Sequence, residues 1–258
     1  MEELKVSLVQ TNTYWENPVA NLADLEEKIM AMEQSTDLIV LPETFSTGFS
    51  ARASELSEPM NFHTHKWMKQ IAAQTQAAIC GSLLIQENGK VYNRFLFVEP
   101  KGKTHHYDKR HRFSLGGEGD QIEAGKENIT IEYKGWRIRP QICYDLRFPV
   151  WSRNKELEYD ILIYSANWPA KRQHVWDILL AARAVENQAY VFGSNRVGED
   201  GAGIQYNGGS TLIDFKGRPI AIADNTAQTL QTKISLNRLK DFRAKFPVWK
   251  DADRFSVE

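Results

Sequence analysis

Residues 139–149, with the sequence RPQICYDLRFP, place a cysteine where a predicted strand runs into a turn. Cys143 ends that strand, and Pro149 suits the first turn of a following helix. A thiol at such a junction lies near helix N-terminal amides, which are expected to lower its pKa and favour the nucleophilic thiolate. The same amides can donate to an oxyanion. The alternative is a buried cysteine that packs as a small hydrophobe, which is a common role.

An acidic residue follows a second apolar run, in the segment LPETF at residues 41–45. Because α/β sheets place their sites at the carboxyl ends of strands, Glu43 is a candidate general base. Pro42 and Phe45 would screen its carboxylate from water, which favours uptake of a proton near neutral pH. The alternative is a solvated glutamate at the end of a strand, or a cap for the next helix.

A third candidate is Lys109, in the segment YDKRH at residues 107–111. It follows a short predicted strand and precedes an irregular, glycine-rich segment at residues 113–125. A fixed ammonium at this position would stabilise the charge that develops on a tetrahedral intermediate. The alternative is a charged cluster on the surface.

Strands and helices alternate around these residues, which predicts an α/β fold with mixed sheets in one domain spanning residues 1–258. The apolar runs DLIVL at 37–41 and DILIYS at 160–165 predict strands buried on both faces, and their similar surroundings indicate two similar layers. Strands are predicted at residues 5–11, 37–41, 78–85, 91–98, 104–108, 129–133, 136–144, 160–165, 190–195, 210–215, 220–223 and 230–234, and helices at 21–32, 67–76, 150–158, 174–188 and 239–246.

The longest predicted helix, residues 174–188, has apolar residues at helical spacing. This spacing predicts that Ile178, Leu179, Ala182 and Val185 face a sheet.

Composition excludes several classes of protein. The chain has 258 residues with 32 basic and 33 acidic side chains, so no global charge favours nucleic acid or an anionic membrane. It has two cysteines, Cys80 and Cys143, which favours a reducing compartment over a disulfide-bonded secreted fold. Neither a signal peptide nor an apolar run of about 20 residues is present in the sequence, so a cytoplasmic location is expected.

A metal site is not favoured by the histidines. His105, His106 and His111 lie near Asp108, but neighbouring residues of a strand point to opposite faces and do not converge on one ion. No cofactor is therefore predicted, and the expected ligand is a small molecule.

In this order, a glutamate after a buried strand, YDKRH and CYDLRFP resemble the motifs of the nitrilase, or carbon–nitrogen hydrolase, superfamily. The segments NRFLFVEP, ANWP, ARAVENQAYV, SNRVG and KFPVWKDADRF extend the resemblance over nearly the whole chain. Within that superfamily the motifs are most similar to the bacterial omega-amidase branch, which acts on 2-oxoglutaramate and related ω-amides of keto acids.

The resemblance implies a single-domain α-β-β-α sandwich with two mixed sheets, and subunits that pair as a homodimer or a larger assembly. It also implies a catalytic Glu-Lys-Cys triad, carried here by Glu43, Lys109 and Cys143, with no metal. A second glutamate is implied in the loop after the lysine, and Glu118 is its best match.

The substrate-binding residues are predicted from their positions near the nucleophile. A backbone amide near Tyr144 would donate to the oxyanion. Arg147 would bind a substrate carboxylate, or would instead form an ion pair with Asp145 or Glu186. Phe45 and Trp168 would line the pocket, unless they pack only in the core.

Other functions remain open from the sequence. A nitrile hydrolase or an N-carbamoyl amine hydrolase could use the same residues, and a non-catalytic binding protein could keep the fold. Superfamily acyltransferases commonly carry membrane spans, which the sequence does not show.

Overall fold

The computed structural model describes residues 2–257, which form two large sheets with helices on their outer faces and one small sheet of two strands, residues 197–199 and 205–207. The strands are β1 (Glu3–Gln10), β2 (Leu38–Val40), β3 (Glu58–Pro59), β4 (Ala78–Glu87), β5 (Lys90–Val98), β6 (Thr104–Asp108), β7 (Ile131–Tyr133), β8 (Trp136–Ile142), β9 (Ile161–Ser165), β10 (Tyr190–Ser194), β11 (Val197–Glu199), β12 (Gln205–Asn207), β13 (Thr211–Ile213), β14 (Pro219–Ile222) and β15 (Gln228–Ser235). The helices are α1 (Pro18–Met30), α2 (Ala53–Leu56), α3 (His63–Thr75), α4 (Glu118–Gln121), α5 (Pro149–Ser152), α6 (Gln173–Asn187) and α7 (Leu236–Lys245).

Both sheets are mixed, with three parallel strands at the centre. The first sheet has the order β15-β1-β2-β4-β5-β6, and its central parallel strands are β1, β2 and β4, with the short strand β3 also parallel to β4. The second has the order β14-β13-β10-β9-β8-β7, and its parallel strands are β8, β9 and β10. The central strands β2 and β8 lead into the segments that carry Glu43 and Cys143.

The two sheets pack face to face through a shared apolar core. Val40 and Phe95 of the first sheet belong to the same buried cluster as Ile138 and Ile163 of the second. Helices α1 and α3 cover the outer face of the first sheet, and α6 covers the outer face of the second. The result is an α-β-β-α sandwich, which confirms the fold class implied by the resemblance.

The buried face of α6 differs from the prediction. Ile178 and Val185 are exposed, and the helix instead turns Trp176, Leu180 and Ala184 toward the second sheet. Gly193 on β10 explains the choice, because a Cβ there would come within 2.5 Å of Leu180 and 2.7 Å of Trp176. The missing side chain lets these two large residues approach the strand, which sets the rotation of the helix.

The helix predicted at residues 150–158 is also wrong beyond its first turn. α5 ends at Ser152, and Glu156 and Leu157 both have positive φ angles. The side chain of Asn154 donates to the carbonyls of Tyr159 and Asn187, and it accepts from the amide of Tyr159. These bonds take the place of helical ones, as asparagine side chains often do.

Candidate active site

The carboxylate of Glu43 lies just beyond β2 and is almost fully buried, with 1% of the residue exposed. Lys109 follows β6 and donates to Glu43 Oε1 at 2.8 Å. The same ammonium donates to both carboxylate oxygens of Glu118, at 2.9 Å and 2.8 Å. One buried lysine is therefore held between two buried glutamates.

Two asparagines that the sequence analysis did not single out fix the orientation of Glu43. Asn93 on β5 donates to Glu43 Oε1 at 2.8 Å, and the backbone amide of Asn167 donates to Oε2 at 2.9 Å. The Asn167 side chain also donates to the backbone carbonyl of Glu43 at 3.0 Å. The segments ANWP and NRFLF contain these residues, so their place in the family motifs was the available signal.

Cys143 begins a 3₁₀-helical turn, Cys143–Arg147, directly after β8. Its φ angle is 41°, in the left-handed region that favours glycine. A non-glycine residue in this region stores strain, and such strain is frequent at functional sites. The turn directs the thiol out of the sheet, where its Sγ lies 3.9 Å from the carbonyl oxygen of Asn167.

Asp145 fixes the turn that carries the cysteine. Its buried carboxylate accepts from the amide of Ile142 at 2.9 Å, from the hydroxyl of Tyr107 at 2.8 Å and from the backbone and ring nitrogens of His111 at 3.0 Å and 2.7 Å. His111 also stacks on Phe148, with ring centroids 3.8 Å apart. The segment around Lys109 is thus tied to the segment around Cys143. From the sequence, Asp145 was expected only as an alternative ion-pair partner of Arg147, and His111 only as a histidine of a disfavoured metal site.

The predicted lowering of the Cys143 pKa is wrong. Burial raises the pKa of this thiol well above its usual value, the charge of Glu43 raises it further, and the opposing effect of Lys109 is smaller. The short 3₁₀ turn does not offset the loss of water and the nearby carboxylate. The resting thiol is therefore neutral and depends on a base to remove its proton.

Lys109 is a permanent cation in this setting. Burial opposes its charge, but Glu118 and Glu43 outweigh that effect and raise the pKa of the ammonium above its usual value. The ammonium can therefore stabilise negative charge without taking part in proton transfer at neutral pH.

A small pocket opens above these groups. Glu43, Lys109 and Cys143 lie on its wall, together with Tyr144 and Trp168. Its volume is about 60 Å³. Since roughly 10–15 Å³ holds one water molecule, the space suits a small-molecule ligand.

Arg147 also lines the pocket, and neither predicted ion pair forms. Its guanidinium lies over the ring of Trp168, 5.1 Å from the centroid. Asp145 is occupied by Tyr107 and His111, and Glu186 pairs with Arg183. The guanidinium is thus available on the wall of the pocket.

Phe45 does not reach the pocket, contrary to the prediction. It is fully buried in the cluster under α1 and α3, and its ring lies 6.0 Å from that of Trp67. Thr44, with a φ angle of 41°, breaks the extended backbone between Glu43 and Phe45. The two side chains therefore point to different layers instead of sharing one face.

The described residues contain no group of three or more histidine, cysteine or acidic side chains arranged to hold a metal. His105 bonds to Glu99, and Asp108 accepts from Arg94. Within residues 2–257, no helix combines the length and apolar character needed to cross a bilayer.

A sandwich of this form, with a cysteine, a lysine and a glutamate on one pocket wall and a second glutamate bound to the lysine, defines a class of hydrolase. The model of the carbon–nitrogen hydrolase family matches residues 5–244, and the chain belongs to that family. The chain is 45% identical to omega-amidase YafV of Escherichia coli K12, with both chains fully covered. It is 31% identical to a 2-oxoglutaramate amidase of Bacillus subtilis, over 95% of this chain and 96% of that protein.

A solved structure supports the same placement. XC1258 from Xanthomonas campestris, a CN-hydrolase superfamily protein with an arsenic adduct in its active site, superposes with a TM-score of 0.98. The two chains are 41% identical, and each is fully covered.

Proposed function

We propose that the protein is an omega-amidase, which hydrolyses the terminal amide of small keto-dicarboxylic acid monoamides such as 2-oxoglutaramate to the acid and ammonia. The observation that carries this proposal is the buried cluster of Glu43, Lys109 and Glu118 beside Cys143. The likeness to omega-amidase YafV and to a 2-oxoglutaramate amidase supports the substrate class.

The first half of the reaction forms a thioester. Glu43 removes the proton of Cys143, and the sulfur attacks the amide carbon. The carbonyl oxygen becomes an oxyanion, which the ammonium of Lys109 and a backbone amide near Tyr144 stabilise. Glu43 then donates its proton to the departing nitrogen, and ammonia leaves.

The second half regenerates the thiol. Glu43, again a carboxylate, removes a proton from water, and the oxygen attacks the thioester carbon. The tetrahedral intermediate collapses, the acid leaves, and the proton returns to the sulfur of Cys143. One carboxylate acts alternately as base and acid, which requires the fixed orientation that Asn93 and Asn167 provide.

Glu118 is a positioning residue in this scheme. Both of its oxygens accept from Lys109, and Oε2 also accepts from the amide of Phe113 at 2.6 Å. These bonds hold the ammonium where the oxyanion forms. At the substrate end, Arg147 binds the carboxylate, while Tyr144 and Trp168 line the pocket.

Residues 1–258 would form one carbon–nitrogen hydrolase domain, because the site takes Glu43 from the first sheet and Cys143 from the second. A homodimer or larger assembly and a cytoplasmic location remain predictions.

The test is ammonia release by the full chain from 2-oxoglutaramate, glutamine, a nitrile and an N-carbamoyl amine. We expect 2-oxoglutaramate to give the highest kcat/KM, and Glu43→Gln to lower kcat by roughly 10²–10⁴-fold while the fold is kept. A higher kcat/KM for the nitrile or the carbamoyl amine would identify another carbon–nitrogen hydrolase. Absence of turnover on all four substrates would favour a binding protein.

A further inference from the structure

Two guanidiniums stand on the wall of the pocket without an acidic partner among residues 2–257. Arg147 lies over Trp168, and Arg172 lies over Phe113 with its guanidinium carbon 5.4 Å from the ring centroid. Other buried or half-buried arginines have protein partners: Arg94 bonds to Asp108 and Glu87, and Arg196 donates to backbone carbonyls. The guanidiniums of Arg147 and Arg172 have an aromatic ring beside them and face the pocket, where a ligand could bind them.

Trp168 links the two arginines. Its ring lies under the guanidinium of Arg147, and its Nε1 donates to the backbone carbonyl of Arg172 at 2.9 Å. The amide of Arg172 in turn donates to the carbonyl of Pro169 at 2.9 Å, which closes the turn before α6. One tryptophan thus positions both arginines on the same part of the pocket.

Neither guanidinium makes a side-chain hydrogen bond among residues 2–257; each lies within cation–π distance of an aromatic ring, 5.1 Å for Arg147 and 5.4 Å for Arg172. Their planar N–H groups are therefore available to a planar acceptor. Carboxylate and 2-oxo oxygens are such acceptors, and a charge-assisted pair with a carboxylate is among the stronger hydrogen-bonded contacts.

The charge of the pocket favours an anion and disfavours an ammonium. Glu43 is the single acidic side chain among the described residues that line the pocket, and it already accepts from Lys109, Asn93 and Asn167. Glu118 binds Lys109 from outside the pocket, and even with Glu118 counted, the three cations exceed the two glutamates by one charge. A substrate with an ammonium at carbon 2 would meet this excess with no carboxylate to receive it.

We propose that Arg172 is a second substrate-binding residue, which acts with Arg147 on the acidic end of the substrate and selects 2-oxo acid amides over 2-amino acid amides. This inference rests on the proposed function for the identity of the substrate. Arg147 and Arg172 hold the carboxylate and the 2-oxo oxygen at the mouth, and the amide carbon then faces Cys143.

Binding to the Cys143→Ala protein tests the proposal without turnover. The probes are 2-oxoglutarate and L-glutamate, measured by calorimetry. We expect 2-oxoglutarate to bind at least tenfold more tightly than L-glutamate. Adding Arg172→Gln should weaken 2-oxoglutarate at least tenfold and L-glutamate clearly less, so that the ratio narrows. Arg172→Lys should recover part of the loss, because it restores the charge without the planar donors.

Lys171 supplies the matched control, since it is an exposed cation in the same turn and does not line the pocket. Lys171→Gln should leave both affinities within twofold of the parent. Thermal unfolding of each variant checks that the fold is kept. Affinities for 2-oxoglutarate within twofold after Arg172→Gln, or equal losses for both probes, would overturn the proposal.

Turnover separates this proposal from the function on which it rests. If the wild-type protein does not hydrolyse 2-oxoglutaramate while 2-oxoglutarate binding still depends on Arg172, the omega-amidase proposal fails and the arginine pair stands. If 2-oxoglutaramate is hydrolysed and Arg172→Gln leaves its kcat/KM unchanged, the function stands and the role of Arg172 is refuted.

Discussion

The two cysteines of this protein both have a raised pKa, but they differ in their position and surroundings. Cys80 lies within β4 of the first sheet, and Cys143 follows β8 of the second. Burial raises the pKa of both thiols well above the usual value. Only Cys143 has Glu43 and Lys109 beside it. Burial therefore does not distinguish the two thiols, whereas the neighbouring carboxylate and ammonium do.

Backbone conformation reinforces the difference. Cys80 is part of a regular ladder, where its carbonyl accepts from the amide of Leu41 at 2.8 Å and its side chain packs in the core between the sheets. Cys143 has a φ angle of 41° and leaves the sheet. The strand keeps one thiol as a small apolar group, whereas the turn exposes the other to a pocket.

The largest expected difference between the cysteines is in turnover. Cys143→Ala should reduce ammonia release to the detection limit, because no thioester forms, while the unfolding temperature stays close to that of the wild type. Cys80→Ala should keep kcat within about twofold and cost roughly 1 kcal/mol or more of stability, since it removes buried volume. Steady-state assays and thermal unfolding of both variants check this, and substantial activity in Cys143→Ala would contradict it.

The next largest effect is expected on replacing Lys109. Lys109→Gln should lower kcat by about 10²–10³-fold, because an oxyanion donor is lost. It should also destabilise the fold by about 3–5 kcal/mol, because Glu43 and Glu118 remain buried without their partner. Chemical denaturation and ammonia release measure the two effects.

Two further variants sharpen this test. The double variant Lys109→Gln/Glu118→Gln should regain stability relative to the single one, since one buried charge is removed, and should regain no activity. Lys90→Gln breaks the exposed pair with Glu123 and should change neither property noticeably. An equally stable Lys109→Gln single variant would argue against a charged cluster.

The smallest effect is a shift in thiol reactivity. Glu43→Gln removes a negative charge that raises the Cys143 pKa, so the pH of half-maximal labelling by iodoacetamide should fall. Cys80 is the internal control, because its pKa is raised by burial and should not respond. Mass spectrometry of labelled peptides across the pH range reads both sites, and a midpoint for Cys143 that does not move would show that Glu43 is too far away.

Much of the fold was predictable because its local patterns are strong. The continuous apolar runs before Glu43 and within residues 160–165 indicated buried strands, and both lie in central strands. The rotation of α6 was not predictable from its own spacing, because the space above Gly193 on another strand decides it. The helix at 150–158 failed for a similar reason, since Asn154 finds its partners at Tyr159 and in α6.

The site, like the fold, was predictable only in part from the sequence. The positions of Glu43, Lys109 and Cys143 at the ends of strands suggested chemistry, because strand ends are where α/β sheets present functional groups. The orienting contacts of Asn93, Asn167 and Asp145, and the departure of Phe45 to the helix layer, depend on residues far apart in the chain.

The sequence by itself determined most strands of the two large sheets, the polar residues that end them and the family of the motifs, because these features are local and periodic. The short strands β3, β11 and β12 were not predicted. The tertiary structure decided the protonation of the thiol, the constraint on Lys109 between two carboxylates and the availability of two arginines at the pocket. Each of these depends on desolvation and on the distance between charges, and both are set only when the two sheets have packed together.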